Sequence, residues 1–302
     1  MDISIVIPTK NGIKTIEGCL KAINSQKTKI TYEIIVVDSG SSDGTINIAE
    51  KYGCKIINIP PQEFSHGYSR NLGADKADGK ILIFLNQDAI PHNDMWMEKL
   101  VAQIYDNNVA TFSRQVPYSD THDVEKVFLN RLYADIPRTI NEESLKRRTL
   151  QSSVLLSTVS TAIRKDILNQ FRFSEKIIMN EDLELAARLI KSGYTIRYVP
   201  DSIVTHSHSY SVDEVFRRYF DLGQSRYSIA GIPPFNLNDV ISEECSILFE
   251  SLHSSRRKPF ESLFSIVYLL SKSIGFALGT KANFLPKPIQ NILSHTMELK
   301  RE

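Results

Sequence analysis

Cysteine is scarce in this 302-residue chain, and the three that occur, Cys19, Cys54 and Cys245, are widely spaced. No CxxC pair or other metal-ligand spacing joins them, which excludes a disulfide-stapled scaffold and a zinc-ribbon site. We expect all three to be reduced packing residues of a cytosolic protein.

Charge of one sign is also lacking, because 36 lysines and arginines nearly balance 35 aspartates and glutamates. The net charge is only +1. A protein that coats a nucleic-acid duplex is normally far more basic, so we expect no nucleic-acid partner. With 42% apolar residues, the composition is that of an ordinary globular protein that buries its own core.

Long apolar runs are missing as well. The chain begins MDISIVIPT, with no basic stretch leading into an apolar one, so no secretory signal is visible and we expect a cytoplasmic protein. The most apolar late segment, residues 263–278, contains Lys272 and falls short of the roughly 20 apolar residues that a membrane span requires. We therefore predict no transmembrane helix there.

Short β-branched runs alternate with segments of helical period in the first two thirds of the chain. This alternation predicts an α/β fold with βαβ units on a mainly parallel sheet. The predicted strands are residues 3–7, 34–37, 55–59, 81–85, 110–116, 154–159 and 194–204. The predicted helices are residues 15–25, 45–52, 67–77, 124–132 and 180–191. Residues 135–149 are polar and charged and predict a long loop, and from about residue 235 onward the pattern turns helical.

Polar residues follow the predicted strands, at the edge where ligands gather in an open parallel sheet. The first strand ends in Pro8, Thr9, Lys10 and Asn11, and the second ends in the run DSGSSDG that starts at Asp38. A carboxylate there can accept the N3 proton of a pyrimidine, and small residues let the backbone approach a ligand. The same run also reads as a turn without a ligand, with Ser42 or Asp43 capping the next helix.

Two further carboxylate positions predict metal and proton chemistry. Asp88 ends the fourth strand after Asn86 and Gln87, and a hard divalent cation prefers oxygen ligands of this kind. Asp182 and Glu181 lie in the first turn of a helix, where a carboxylate is rigidly held and can act as a general base.

Two histidines, His206 and His208, follow the last predicted strand. An imidazole there can complete a metal site or contact phosphate. Because side chains alternate along an extended segment, we expect only one of the two to face a given site.

In this order, the segments PTKN, VVDSGSSDGT, SRNLGA, FLNQDA and NEDLELAARL resemble the family 2 glycosyltransferases, whose fold is called GT-A. The resemblance runs from about residue 3 to residue 210. NQDA and the later segments HSHSY, FRRYFDLGQSRY, GFALG and LPKPI are similar to members of that family that transfer rhamnose. The implied fold is Rossmann-like: a mainly parallel mixed sheet flanked by helices in residues 1–232, and a C-terminal helical appendage in residues 233–302.

The resemblance also implies a role for each candidate residue. Asp88 would hold Mg or Mn together with a histidine, His206 being preferred over His208, although the family's usual Asp-x-Asp is here Asn86-Gln87-Asp88. Asp182 would be the general base and Glu181 the reserve candidate. The residues assigned to the donor nucleotide are Pro8, Thr9, Asn11, Asp38, Ser41, Arg70 and Gln87.

The implied reaction is a single displacement that inverts the anomeric centre of a sugar carried by a nucleotide diphosphate. We expect L-rhamnose from dTDP-rhamnose, with a UDP-hexose as the alternative donor. The expected acceptor is a glycan or lipid-linked glycan of a bacterial surface polysaccharide. A non-catalytic nucleotide-sugar or glycan-binding module is the alternative of another class. A nucleotidyltransferase would need a glycine-rich loop, and PTKNGIKT has one glycine.

The C-terminal region leaves two alternatives open. Its apolar segment is preceded by Arg256, Arg257 and Lys258 and followed by Lys281 and Lys287, as in a segment that rests on an anionic membrane. A helix packed on the domain or within a homodimer explains the same pattern.

Overall fold

A computed structural model of the chain describes residues 1–146, 155–177, 179–229, 237–254 and 259–295. Within these residues, nine strands form one mixed sheet. They are β1 (Ile3–Thr9), β2 (Tyr32–Asp38), β3 (Lys55–Asn58), β4 (Ile81–Leu85), β5 (Ile90–Pro91), β6 (Asn108–Val116), β7 (Arg138–Ile140), β8 (Ser160–Arg164) and β9 (Thr195–Thr205).

The sheet has the order β3-β2-β1-β4-β8-β6-β9-β5, and β7 pairs with β9 as well. The N-terminal four strands are parallel, and Thr9 is in register with Asp38. Beyond them, β8 runs antiparallel to both of its neighbours, while β6 and β9 are parallel to each other. The predicted α/β fold with a mixed sheet is confirmed, and its four N-terminal strands form the larger parallel part.

Helices flank the sheet and continue beyond it. They are α1 (Ile16–Asn24), α2 (Thr45–Lys51), α3 (His66–Asp75), α4 (Trp96–Val101), α5 (Asp123–Leu132), α6 (Lys165–Phe171), α7 (Glu181–Lys191), α8 (Val212–Ser228), α9 (Leu237–Ser254), α10 (Pro259–Gly279) and α11 (Lys287–Leu293). The predicted cap of α2 is wrong, because Gly44 occupies the N-cap position with φ +93°. Glycine adopts this conformation without the steric penalty of a Cβ.

Both faces of the sheet are buried, so a separate hydrophobic core lies on each side. Val6, Phe84 and Phe112 belong to one core, and Leu20 and Trp96 to the other. A third, smaller core joins α5 to the helices that follow the sheet; its buried members are Val124, Val127, Val215, Ile247, Tyr268 and Leu269. The C-terminal helices therefore share a core with the sheet domain. The predicted domain boundary at 232/233 falls among residues 230–236, outside the described part of the chain, and stays a prediction.

Two segments differ from the sequence-based expectation. The loop predicted for residues 135–149 contains strand β7 and a 3-10 helix, Glu142–Lys146, while residues 147–149 lie outside the described residues. The strand predicted for residues 154–159 begins only at Ser160, and residue 154 is not described. Residues just before β8 have other partners, since the backbone N–H of Thr158 donates to Asp182.

Helix α10 is longer than its apolar segment suggested, with 21 residues. Among the described helices it alone has the length and composition to cross a membrane, with a mean hydropathy of 1.5 in its most apolar window. One third of this apolar stretch is buried against the protein. The core helix of a soluble protein can have the same length and composition. The expectation that this segment is too short for a span is therefore wrong.

Candidate active site

The loops after β1 and β2 are tied together by hydrogen bonds. Asp38 is 2% exposed, and its carboxylate accepts from the backbone N–H groups of Gly40, at 2.9 Å, and Ser41, at 2.8 Å. The backbone N–H of Asn11 donates to Ser41 Oγ at 2.8 Å, and Asn11 Oδ1 accepts from the N–H of Ser42 at 3.0 Å. Both backbone bonds to Asp38 end on Oδ2, and Oδ1 accepts from the Ser41 hydroxyl at 2.5 Å, so one lone pair of Oδ1 remains to accept from a ligand.

Gln87 holds the start of the first loop from the end of β4. Its side chain accepts from the backbone N–H of Lys10 at 3.2 Å and donates to the carbonyl of Lys10 at 3.1 Å. A Cβ at Gly12 would overlap the Gln87 amide, so the close approach requires glycine there. Beside this clamp, Thr9 is buried and Pro8 is half-buried. The three predicted positions Pro8, Thr9 and Gln87 therefore lie at one edge of the sheet.

Asp88, His206 and His208 form a cluster, whose ligand atoms lie within 4.8 Å of one another. Nε2 of His206 is 3.6 Å from one carboxylate oxygen of Asp88, and Nε2 of His208 is 3.8 Å from the other. The expectation that only one histidine faces the site is wrong. Strand β9 ends at Thr205, so the strict alternation of side chains does not continue through the histidines.

The chemistry of this cluster fits a divalent cation. His206 is buried, and its Nε2 has no hydrogen-bond partner among the described residues. Burial lowers the pKa of His206 to about 3, and burial together with the nearby His206 lowers that of His208 to about 3. Both imidazoles are therefore neutral at pH 7 and offer a lone pair, and Asp88 supplies a negative charge.

A second layer of residues orients the two histidines. Nδ1 of His206 is 3.0 Å from Oε1 of Gln115, whose amide nitrogen donates to the hydroxyls of Tyr133, at 2.6 Å, and Ser157, at 2.9 Å. On the other side, the Tyr210 ring stacks on His208 with 4.8 Å between centroids. Such outer contacts fix ring orientation at metal sites.

Asp182 lies at the start of α7 and is held by three donors. One carboxylate oxygen accepts from the backbone N–H of Thr158 at 3.1 Å and from its hydroxyl at 3.3 Å, and the other accepts from the N–H of Leu183 at 2.8 Å. Burial raises the pKa of Asp182, and the neighbouring charge of Glu181 raises it further. A fixed carboxylate with a raised pKa suits proton abstraction.

Arg70 and Glu181 form a buried ion pair. They are 3% and 5% exposed, and Nη1 of Arg70 donates to the carboxylate of Glu181 and to the carbonyl of His66. Glu181 is therefore engaged with a cation, whereas the donors to Asp182 among the described residues are neutral. This difference favours Asp182 over Glu181 as the base.

The model of the family described as "Glycosyl transferase family 2" matches residues 4–172, more than half of the chain. The chain belongs to this glycosyltransferase family. The chain is 30% identical over 299 residues to the O-antigen chain rhamnosyltransferase RfbN of Salmonella typhimurium, covering 95% of this chain and 92% of that protein. It is also 30% identical over 296 residues to WbaN of Salmonella anatum, another O-antigen chain rhamnosyltransferase.

Solved structures agree on the fold of the glycosyltransferase. The mannosyltransferase PcManGT from Pyrobaculum calidifontis, in complex with GDP-Man and Mn²⁺, superposes with a TM-score of 0.58 at 16% identity. The superposition covers 99% of this chain and 85% of that one. The predicted GT-A fold is thereby confirmed, as is the resemblance to rhamnosyltransferases. Family membership favours an enzyme over a non-catalytic binding module.

Several residues of the candidate site were missed in the sequence: Tyr133, Ser157, Thr158, Tyr210 and Gln115. Gln115 had a visible signal, because it lies near the C-terminal end of β6 and the strand-end rule applies to it. Ser157 and Thr158 connect the two halves of the site: Ser157 contacts Gln115 and Thr158 contacts Asp182. No spacing rule marks such residues, since their role depends on tertiary contacts.

Proposed function

We propose that this glycosyltransferase moves L-rhamnose from dTDP-rhamnose to a hydroxyl of a glycan or lipid-linked glycan, with inversion, in bacterial surface polysaccharide synthesis. The observation that carries the proposal is the Asp88–His206–His208 cluster, linked through Gln115, Ser157 and Thr158 to Asp182. The names of two relatives that match over nearly the whole chain support rhamnose and a surface glycan.

The donor nucleotide would bind at the edge formed by the ends of β1, β2 and β4. Asp38 would accept the N3 proton of thymine, while Pro8, Thr9, Asn11 and Ser41 would surround the base and ribose. Gln87 would act by holding the loop at Lys10 in place. The positive charge of Arg70, which is buried beside Glu181, would attract the diphosphate.

Asp88, His206 and His208 would hold the divalent cation, Mg or Mn. One carboxylate with two imidazoles suits Mn²⁺ better than Mg²⁺, which prefers an all-oxygen shell. When bound, the ion offsets the negative charge on the departing nucleotide diphosphate. His206 and His208 contribute to this as neutral ligands, with orientations held by Gln115 and Tyr210.

Asp182 would accept the proton of the acceptor hydroxyl as that oxygen attacks the anomeric carbon. The three donors from Thr158 and Leu183 keep the carboxylate in one orientation, and its raised pKa increases its basicity. A direct displacement inverts the configuration and requires no protein nucleophile. Glu181 remains the reserve candidate for this role.

The acceptor class suggests where the enzyme works. We place it in the cytoplasm, at the inner face of the plasma membrane, where lipid-linked glycans are extended. Its partners would be the donor and the acceptor, with no nucleic acid. A homodimer is the alternative use of its apolar C-terminal surface.

The test is titration calorimetry of purified protein with dTDP, UDP and GDP, each with and without Mn²⁺, followed by turnover of the matching sugar donors. We expect a Mn²⁺-dependent preference for dTDP and turnover of dTDP-rhamnose, with an inverted anomeric signal in the NMR spectrum of the product. A preference for UDP would reassign the donor to a UDP-hexose. Absence of binding to all three nucleotides would overturn the proposal.

A further inference from the structure

The exposed positions of α10 are occupied by apolar residues throughout. At 100° per residue they fall within an arc of about 120°, and they extend along roughly 28 Å of the helix. These residues, here called the α10 outer face, are Pro259, Phe260, Leu263, Ile266, Val267, Leu270, Ile274, Ala277 and Leu278. A solvated surface helix carries charged and polar side chains on this side.

The polar side chains of α10 point inward instead. Ser265 and Lys272 are buried, and the Lys272 ammonium lies 3.4 Å from the ring centroid of Phe128 and 4.8 Å from that of Tyr219. The hydroxyl of Tyr268 donates to Glu125 of α5 at 3.1 Å. The polar side of α10 therefore faces the protein and its apolar side faces outward. A helix on a water-exposed surface has the reverse arrangement. A contiguous exposed apolar face of this kind is typical of a surface that contacts a membrane or another protein.

Close packing holds α10 along the protein. A Cβ at Gly275 or Gly279 would overlap the backbone carbonyls of Phe216 or Phe220 in α8, so the two helices are in backbone contact. To cross a bilayer, α10 would have to leave α8 and carry Lys272 into hydrocarbon, which is costly. The helix therefore presents its outer face while it lies on the domain.

Charge distinguishes the possible occupants of this face. Lys281 and Lys287 are exposed just after α10, and Arg256, Arg257 and Lys258 directly precede it in the sequence. If two copies paired through the outer face, parallel or antiparallel helices would bring basic ends together, and the like charges would repel. An anionic bilayer complements both ends and the apolar stretch between them.

We propose that the α10 outer face docks this enzyme flat on an anionic lipid bilayer, with the apolar residues at the acyl boundary and the flanking basic residues on the headgroups. The inference extends the proposed lipid-linked acceptor class by naming the surface that meets the lipid. The inference depends on the exposure of the α10 outer face and on the charge of the flanking residues. It can therefore be tested without a sugar donor and without a turnover assay.

The experiment is co-sedimentation of the full chain with vesicles of phosphatidylcholine alone and of phosphatidylcholine mixed with phosphatidylglycerol. Leu270→Glu combined with Ile274→Glu places two charges on the outer face at positions that are 58% and 53% exposed. The matched control is Ile136→Glu, at a position that is 63% exposed and precedes β7. A third variant replaces Arg256, Arg257 and Lys258 by Gln, and thermal melting of each variant checks its fold.

We expect the parent and Ile136→Glu to bind mixed vesicles, and the double variant to lose tenfold or more in partition coefficient. The Gln variant should lose a similar factor on mixed vesicles only. Equal binding by parent and double variant would overturn the proposal. The proposal would also be overturned if the parent does not bind vesicles but is a dimer in light scattering, while the double variant is a monomer. Vesicle binding without dTDP-rhamnose turnover would retain this proposal and reject the proposed function.

Discussion

The guanidinium of Arg70 on α3 is buried against the carboxylate of Glu181, which directly precedes Asp182 at the start of α7. The pair joins two elements that are far apart in the sequence. It also leaves the two adjacent acids in different states: Glu181 is neutralised by a cation, and Asp182 is held by neutral donors. The first prediction concerns this pair.

Arg70→Ala should lower the free energy of unfolding by about 3–5 kcal/mol, because it leaves the Glu181 charge buried without its partner. Urea denaturation measures this loss. Arg164→Ala is the control, since its partner Asp166 is exposed and such pairs contribute less than about 1 kcal/mol. Arg70→Met combined with Glu181→Leu should recover most of the stability. A loss of under 1 kcal/mol for the single variant would mean that the pair is not desolvated.

The pH dependence of turnover should report the raised pKa of Asp182. A protonated carboxyl cannot accept a proton, so kcat/KM should fall as the pH is lowered through a pKa that lies above 3.8, the ordinary value. Asp182→Asn should reduce kcat by about 100- to 10,000-fold. Glu184→Gln, in the same helical turn, is the control and should retain kcat. Loss of turnover in Glu181→Gln, with full activity in Asp182→Asn, would transfer the role to Glu181.

Gln115→Leu should weaken Mn²⁺ binding by about 10- to 100-fold, because the hydrogen bond that orients His206 is lost. Electron paramagnetic resonance of free Mn²⁺ measures this without any substrate. Gln224→Leu removes an amide that contacts Gln290 and should leave Mn²⁺ affinity unchanged. Parent-like affinity in Gln115→Leu would show that His206 needs no such orientation or is not a ligand.

Asp88→Asn should reduce Mn²⁺ affinity by roughly 100-fold, because it removes the one negative charge of the three-residue cluster. Chelation with EDTA should abolish turnover of the parent, and added Mn²⁺ should restore it. The control Asp94→Asn alters an acid paired with Lys27 on the surface. Parent-like affinity and turnover in Asp88→Asn would locate the metal elsewhere.

Local patterns predicted the parallel half of the sheet well. The runs at β1, β2 and β4 are apolar and β-branched, and the helices between them bury one face each, so periodicity identifies them directly. Polar residues at strand ends marked Asp38 and Asp88 as candidates because strand ends of this fold class converge on one edge, and Asp182 was marked by its position in the first turn of a helix. Prediction failed before β8, where Leu155 and Leu156 are buried outside the strand. Burial alone does not distinguish a strand from a packed irregular segment.

The sequence by itself determined the fold class through its local periodicity, and the family through the resemblance of its ordered motifs. It also marked the candidate carboxylates by their positions at strand ends and in the first turn of a helix. Only the tertiary structure decided that both His206 and His208 reach Asp88, that Glu181 is paired with Arg70, and that α10 presents its apolar side outward. Each of these depends on contacts between residues distant in the chain. Such contacts are set by packing in three dimensions, which leaves no period or spacing in the sequence.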